Sequence, residues 1–169
     1  MQVQALTGSH NRQTFDCGRV ELNDWLRQVA KQHQEKGLSK TFVAVQPNEP
    51  ARIGAYYALT LSELDTSQLP QNLAKKWPRR IPGIRLGRLA VDIAFQGKRL
   101  AELMLVDALT RAHRIHQEAD GMGLFVDATD DQAAGFYRHF GFASSPSQPL
   151  LLFLPLGALT AKTAKSDKN

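Results

Sequence analysis

The sequence predicts a mixed α/β (α+β) fold, a central sheet with helices packed on it, and three observations lead there. Short β-branched and aromatic runs bounded by turn residues recur along the chain: "TFVAVQ", "RIGAYYALTL", "IRLGRLAVD", "GLFVDA" and "PLLLFLPL". Between them lie stretches whose apolar residues return at helical spacing. The 169 residues, 43% hydrophobic and 22% charged, are enough to bury one sizeable core. The expectation is one domain over residues 1–157 and a flexible tail over 158–169, where "ALTAKTAKSDKN" has little to bury.

The first helix is read in "ELNDWLRQVAKQHQEKG", where Leu22, Trp25, Leu26, Val29 and Ala30 form one apolar stripe and Gly37 is a natural stop. "TFVAVQ" and "RIGAYYALTL" follow as strands joined through the turn between Pro47 and Pro50, a hairpin pair. "TSQLPQNLAKKWP" holds a short helix ended by Pro78, because Leu69 and Leu73 stand four apart. "IRLGRLAVD" is a strand, and after a turn at Gln96–Ala101 the residues Ala101, Met104, Leu105, Ala108, Leu109, Ala112 and Ile115 mark a long helix. "GLFVDA" is a short buried strand, "TDDQAAGFYRHF" a helix capped by Thr or Asp and closed by Gly141, and "PLLLFLPL" the last strand.

Charge and cysteine content narrow the partners. A net charge of +5 and a pI near 9.6 favour an anionic partner, nucleic acid or a phosphate-rich coenzyme. The single cysteine, Cys17, forms no internal disulfide, which fits a reducing cytoplasm. "MQVQALTGSH" lacks the features of a signal peptide, and no apolar run approaches a membrane span, so a cytoplasmic protein without a membrane partner is expected.

Three stretches carry candidate chemistry. "QGKRLA" lies where a chain leaves a strand and enters a helix, so unpaired backbone N–H groups and the helix dipole meet there. Gly97 lets a phosphate approach and Lys98 and Arg99 add charge; equally, Gly97 makes a turn and the cations are solvated, and this stretch alone leaves both readings open. In "AAGFYRHFGF" the Tyr137 phenol at a helix end can donate a proton, against the plain alternative of a core aromatic; Phe136 and Phe140, four apart, are read as core. In "KKWPRRIPGIRLGR" the cations Lys75, Lys76, Arg79, Arg80, Arg85 and Arg88 suit phosphate contacts and Trp77 could stack on a base, against the alternative of a solvated face.

Other chemistries fall away. No G-x-x-x-x-G-K-[ST], G-x-G-x-x-G or G-x-S-x-G pattern occurs. His113 and His116 lack zinc-ligand spacing and are read as exposed at a helix end. Asp127, Asp130 and Asp131 suggest a cap before a hard metal, and Cys17 has no activating partner. No metal is expected.

"LGRLAVD", "QGKRLA" and "AAGFYRHFGF", separated by one helix and one strand, together resemble the GNAT superfamily of acetyl-coenzyme A dependent N-acetyltransferases. The resemblance implies that the backbone of Leu89, Ala90 and Val91 pairs with the pantetheine arm. It implies that Gln96, Gly97, Lys98, Arg99, Leu100 and Ala101 hold the pyrophosphate, with Phe136 beside the coenzyme, and that Tyr137 protonates the departing thiolate. "FDCGRVELNDWLRQVAKQHQEKGLSKTFVAV" and "RRIPGIRLGRLAVD" are similar to the GNAT toxins of bacterial toxin–antitoxin pairs, over about Phe15 to Leu156. This implies acetylation of the α-amino group of an aminoacyl-tRNA, arrest of translation, a ribbon-helix-helix antitoxin as partner, and a homodimer. The basic residues from Lys75 to Arg88 would then hold tRNA phosphates.

The chemistry is physically reasonable. An α-amino group titrates near ~8 and a neighbouring ester lowers it, so a strong base is unnecessary. Placing the amine and stabilising the oxyanion are the harder steps, and N–H groups around Leu89–Val91 suit them. The family carries glycine where Arg99 stands. The expectation here is a near-helical backbone at Arg99 with its charge facing phosphate, since positive φ costs an arginine ~1–2 kcal/mol. Two alternatives stand beside this reading: an N-acetyltransferase for a small amine or a protein N-terminus, and a non-catalytic module that keeps the fold.

Overall fold

The runs of β-branched and aromatic residues become strands. In the computed structural model, which describes residues 1–120 and 123–157, these are β1 (Gln2–Ala5), β2 (Lys40–Val45), β3 (Ala55–Asp65), β4 (Arg80–Val91), β5 (Gly123–Asp127), β6 (Ala143–Ser144) and β7 (Leu151–Pro155). They form a seven-stranded sheet in the order β1-β2-β3-β4-β5-β7-β6. The helices are α1 (Val20–Asp24), α2 (Ala30–Glu35), α3 (Gln71–Ala74), α4 (Leu100–Ala119) and α5 (Asp131–His139). The contacts gather into two units, Met1–Thr60 with Leu86–Ala108, and Leu61–Arg85 with Leu109–Asn169. The expected tail over 158–169 lies outside the described residues.

In the first unit β1 pairs antiparallel with β2 (Val3 opposite Ala44), and β2 with β3 (Val43 opposite Tyr56). The second pairing is the hairpin expected from the sequence. β1 is not evident in the sequence, because four residues with only Val3 and Ala5 apolar give too little alternation to read. Leu6, Phe15, Trp25, Leu26, Val43, Ile53, Tyr56 and Ala90 close around one apolar cluster. The first helix departs from its expected form: between α1 and α2 the segment Trp25–Val29 is a π-helical turn. The apolar stripe still buries Trp25, Leu26 and Ala30, which is why periodicity alone does not reveal the wider turn.

In the second unit Leu64, Leu69, Ile81, Phe125, Leu151 and Phe153 pack together, with Leu73 and Trp77 against them. β5 pairs antiparallel with β7 (Phe125 opposite Phe153), and β7 with the short β6. β4 begins at Arg80, earlier than expected; Pro82 donates no ladder hydrogen bond, so the strand legible in the sequence starts after it. α5 is capped as expected, the Asp130 carboxylate accepting the Ala133 N–H at 2.8 Å, and Gly141 past its end takes φ +94°.

Candidate active site

The turn between β4 and α4 is built from both sides. After β4, buried Asp92 accepts the Ala94 N–H at 2.9 Å and caps a 3₁₀ turn over Ile93–Phe95. Gln96 then folds back, its amide nitrogen donating to the Val91 carbonyl at 2.9 Å and the Cys17 carbonyl at 3.2 Å. Gly97 turns the chain at φ +77°, and a Cβ there would meet nothing within 4 Å, so glycine is required for its backbone angle and the space around it is open. Gln96, Gly97, Lys98 and Arg99 are exposed, Leu100 is buried, and Ala101 is half-buried at the start of α4. The first N–H groups of this 20-residue helix have no acceptor within the helix and face the turn with its positive dipole end.

Arg99 corrects the expectation of a near-helical backbone: its φ is +60°, in the left-handed region. The chain reverses through left-handed backbone at both Gly97 and Arg99, after which the Arg99 carbonyl accepts the Leu103 N–H at 3.2 Å and opens α4. The arginine therefore occupies a conformation suited to glycine, at a cost of ~1–2 kcal/mol. Its guanidinium is 87% exposed and lies 3.7 Å from Glu102, a contact that costs little to open. Lys98 sits 5.8 Å from the Phe95 ring centroid, and Arg52 covers the same ring at 5.1 Å.

The segment before α1 holds the strand end in register with this turn. Asp16 accepts the Gly18 N–H and the Asn23 side-chain N–H, both at 2.9 Å, and Asn23 accepts the Cys17 N–H at 2.9 Å. The Asp16 N–H donates to Asp92 at 3.0 Å and the Ile93 N–H to the Asp16 carbonyl at 2.8 Å. Phe15 stands edge-on to Tyr56 at 5.3 Å. The "FDCG…LN" residues thus serve as a clamp on the end of β4, a role their sequence does not announce. Leu89 and Val91 are half-buried and Ala90 is buried.

Tyr137 lies in the second unit on α5 and is 6% exposed. Burial pushes its phenol well above the ordinary tyrosine range, so the hydroxyl keeps its proton throughout the neutral and mildly alkaline region. Phe136 and Phe142 stand edge-on to it at 5.3 and 5.5 Å. Phe136 and Phe140, read as core, are a half-buried edge-to-face pair at 5.1 Å, since the end of α5 leaves one side of each ring uncovered.

The basic stretch separates into different environments. Lys75 and Lys76 are exposed; Arg79 pairs with Asp65 at 3.6 Å and Arg80 with Glu63 at 3.1 Å. Arg85 is half-buried, paired with Asp127 and set 4.5 Å over Phe125. Arg88, in the first unit, lies 4.3 Å over the Trp25 ring. Trp77, for which base stacking is one of two readings open in the sequence, is half-buried and edge-on to Phe153 at 5.9 Å, packed against the second core. His113 and His116, expected to be exposed, are half-buried beside buried Ala112. Cys17 is half-buried with its thiol pushed up by desolvation, consistent with an unactivated cysteine. A groove of about 780 Å³, lined by Thr14, Asp16, Glu49, Arg52, Asp92 and Ile93 among others, opens in the first unit and includes none of the predicted site residues. Its charges are already used: Asp16 and Asp92 in the clamp, Arg52 on Glu49 and Phe95.

A family model described as an acetyltransferase (GNAT) domain matches residues 78–150, which span β4, α4, β5 and α5. A protein named tRNA-acetylating toxin from Mycobacterium tuberculosis is 36% identical over 144 residues, 83% of each chain. Among solved structures, AtaT complexed with acetyl-methionyl-tRNAfMet superposes with a TM-score of 0.89 at 26% identity, covering 96% of this chain and 98% of that one. A tyrosine-to-phenylalanine mutant of AtaT, bound to the C-terminus of the antitoxin AtaR and acetyl-CoA, gives a TM-score of 0.77 at 25% identity, over 93% and 94% of the two chains. On these relationships the chain belongs to the GNAT acetyltransferase family, among the relatives of the tRNA-acetylating toxins.

Proposed function

We propose that the protein is an acetyl-CoA dependent N-acetyltransferase that acetylates the α-amino group of an aminoacyl-tRNA and so blocks translation. One observation carries the substrate: a relative sharing 36% of its residues over 83% of the chain is named for acetylating tRNA. The open turn at Gly97, the first N–H groups of α4, which a helix leaves without intrahelical acceptors, and the cations Lys98 and Arg99 fit a coenzyme pyrophosphate. When bound, acetyl-CoA supplies the acetyl thioester. Gln96, Gly97, Lys98, Arg99, Leu100 and Ala101 bind its pyrophosphate, the backbone of Leu89, Ala90 and Val91 orients the arm and polarises the carbonyl, and Phe136 flanks it. Tyr137 holds a proton for the departing sulfur, a role its raised pKa supports because the hydroxyl is never ionised at working pH.

The acceptor needs no strong base, since its α-amino group is substantially neutral near pH 8. Lys75, Lys76, Arg79, Arg80, Arg85 and Arg88 attract the tRNA phosphates; Arg79 and Arg80 are themselves exposed, so their ion pairs exchange readily. Both compact units together are read as one acetyltransferase domain over residues 1–157, which acts without a metal. A cytoplasmic homodimer restrained by a ribbon-helix-helix antitoxin completes the proposal; the AtaT–AtaR complex supports an antitoxin partner. No helix among the described residues is long and apolar enough to cross a membrane.

The test mixes the purified protein with labelled acetyl-CoA, a panel of charged tRNAs and a panel of small amines and peptides. The proposal expects label on one or more aminoacyl-tRNAs and none on uncharged tRNA. Label confined to small amines or peptide N-termini would overturn it.

A further inference from the structure

Arg88 is set apart from the other cations of its stretch. Arg79, Arg80 and Arg85 each face a carboxylate, and Lys75 and Lys76 lie in solvent. The Arg88 guanidinium is half-buried and desolvated, and among the described residues it neither pairs with a carboxylate nor donates a hydrogen bond. Its partner is a ring, with the guanidinium carbon 4.3 Å from the Trp25 centroid. A guanidinium is charged at any working pH, and with no acceptor among the described residues the half-buried Arg88 keeps its N–H donors facing solvent, where an anionic ligand can take them.

Trp25 is itself held from several sides. It opens the π-helical turn, a feature found often at functional sites. Tyr56 stacks on it at 6.0 Å with 12° between the planes, and His33 meets it edge-on at 6.0 Å. The Tyr56 hydroxyl donates to the Leu22 carbonyl at 2.7 Å and fixes that stack against α1. A cation resting on a fixed ring keeps its N–H donors for an outside acceptor. In β4 Arg88 immediately precedes Leu89, the first residue assigned to the coenzyme arm, and Ala90 on its own face is buried in the cluster that contains Trp25.

We propose that Arg88, positioned by Trp25, binds one specific phosphate of the acceptor: the 5′-phosphate of the terminal nucleotide that carries the aminoacyl ester. It makes a planar, two-point contact, while the exposed cations act on the phosphate chain by charge alone. This rests on the acceptor being an aminoacyl-tRNA. A coenzyme phosphate has the same chemistry, and the experiment separates the two sources.

The acceptors are 3′-O-aminoacyl-adenosine with and without a 5′-phosphate, given to the wild type, R88K and R88Q. The wild type is expected to use the phosphorylated acceptor with a kcat/KM roughly 10- to 100-fold higher, as for a charge-assisted contact. R88K keeps the charge and loses the planar fork, so its preference falls to a few-fold at most, with acetyl-CoA affinity unchanged. In a Trp77→Phe background, AMP is expected to perturb Trp25 fluorescence, and R88Q to abolish that response. An undiminished preference in R88K, no preference in the wild type, or loss of acetyl-CoA affinity in R88K would overturn the assignment. AMP binding that depends on Arg88, with no aminoacyl acceptor acetylated, would support this site while overturning the tRNA reading.

Discussion

Tyr137 and Arg99 show how environment, more than residue type, sets a role. A tyrosine buried among Phe136 and Phe142 loses the option to ionise, which suits a proton donor. Its raised pKa means that the protonated form persists beyond the ordinary ~10. The pH–rate profile should therefore rise as the acceptor amine loses its proton and show no Tyr137-dependent fall below pH ~10. The same sign applies to stability: burying the neutral phenol favours the fold at neutral pH, and that contribution is lost as pH climbs above ~10. Tyr137→Phe should lower kcat by about 10²–10⁴-fold with the coenzyme Kd unchanged, measured by stopped assay and calorimetry. At Arg99 the left-handed backbone makes glycine the better fit. Arg99→Gly should raise unfolding free energy by about 0.5–1 kcal/mol in urea titrations, the relieved strain being partly offset by the freer unfolded chain. Acetyl-CoA should bind it a few-fold more weakly through loss of one exposed cation.

At the scale of elements, the segment from Phe15 to Leu26 connects sequence motif to site geometry. Asn23 is buried and completes hydrogen bonds to Asp16 and Cys17. Asn23→Ala should cost about 1–3 kcal/mol and lower the melting temperature, because it leaves the Cys17 N–H without its acceptor and removes one of the donors to Asp16. The Gly18 N–H and Asn23 amide hold the Asp16 carboxyl below its usual range. A depressed pKa stabilises the fold above ~4 and loses that contribution as pH falls through the folded value, so wild type should lose stability on acidification more steeply than Asn23→Ala. The long strands and α4 are legible in the sequence because their apolar residues repeat over many positions. β6, with two residues, is not. The π turn stays hidden because Trp25, Leu26 and Ala30 are buried whichever way the helix is wound. The turn at "QGKRLA" is legible as a strand-to-helix junction, but the left-handed φ at Arg99 is not, because a non-glycine residue disfavours that region and nothing in its type signals it.

Across the whole molecule, a net charge of +5 gives the chain a long-range attraction for polyanions, and the structure distributes it unevenly. In the sequence Lys75 to Arg88 form one basic run; tertiary pairing divides it into solvated lysines, screened arginines and the ring-held Arg88. Lys75→Glu with Lys76→Glu should weaken tRNA binding and make it less sensitive to salt, the log–log slope falling by about 1 for each phosphate no longer neutralised, while acetyl-CoA affinity stays the same. The central claim is acetyl transfer to an aminoacyl-tRNA, and the most direct measurement is mass spectrometry of the 3′-terminal aminoacyl-adenosine released by nuclease after incubation with acetyl-CoA. The account predicts an N-acetylated aminoacyl-adenosine formed by the wild type and diminished by about 10²–10⁴-fold in Tyr137→Phe. An unmodified aminoacyl-adenosine from every charged tRNA, in a preparation that binds acetyl-CoA, would contradict it.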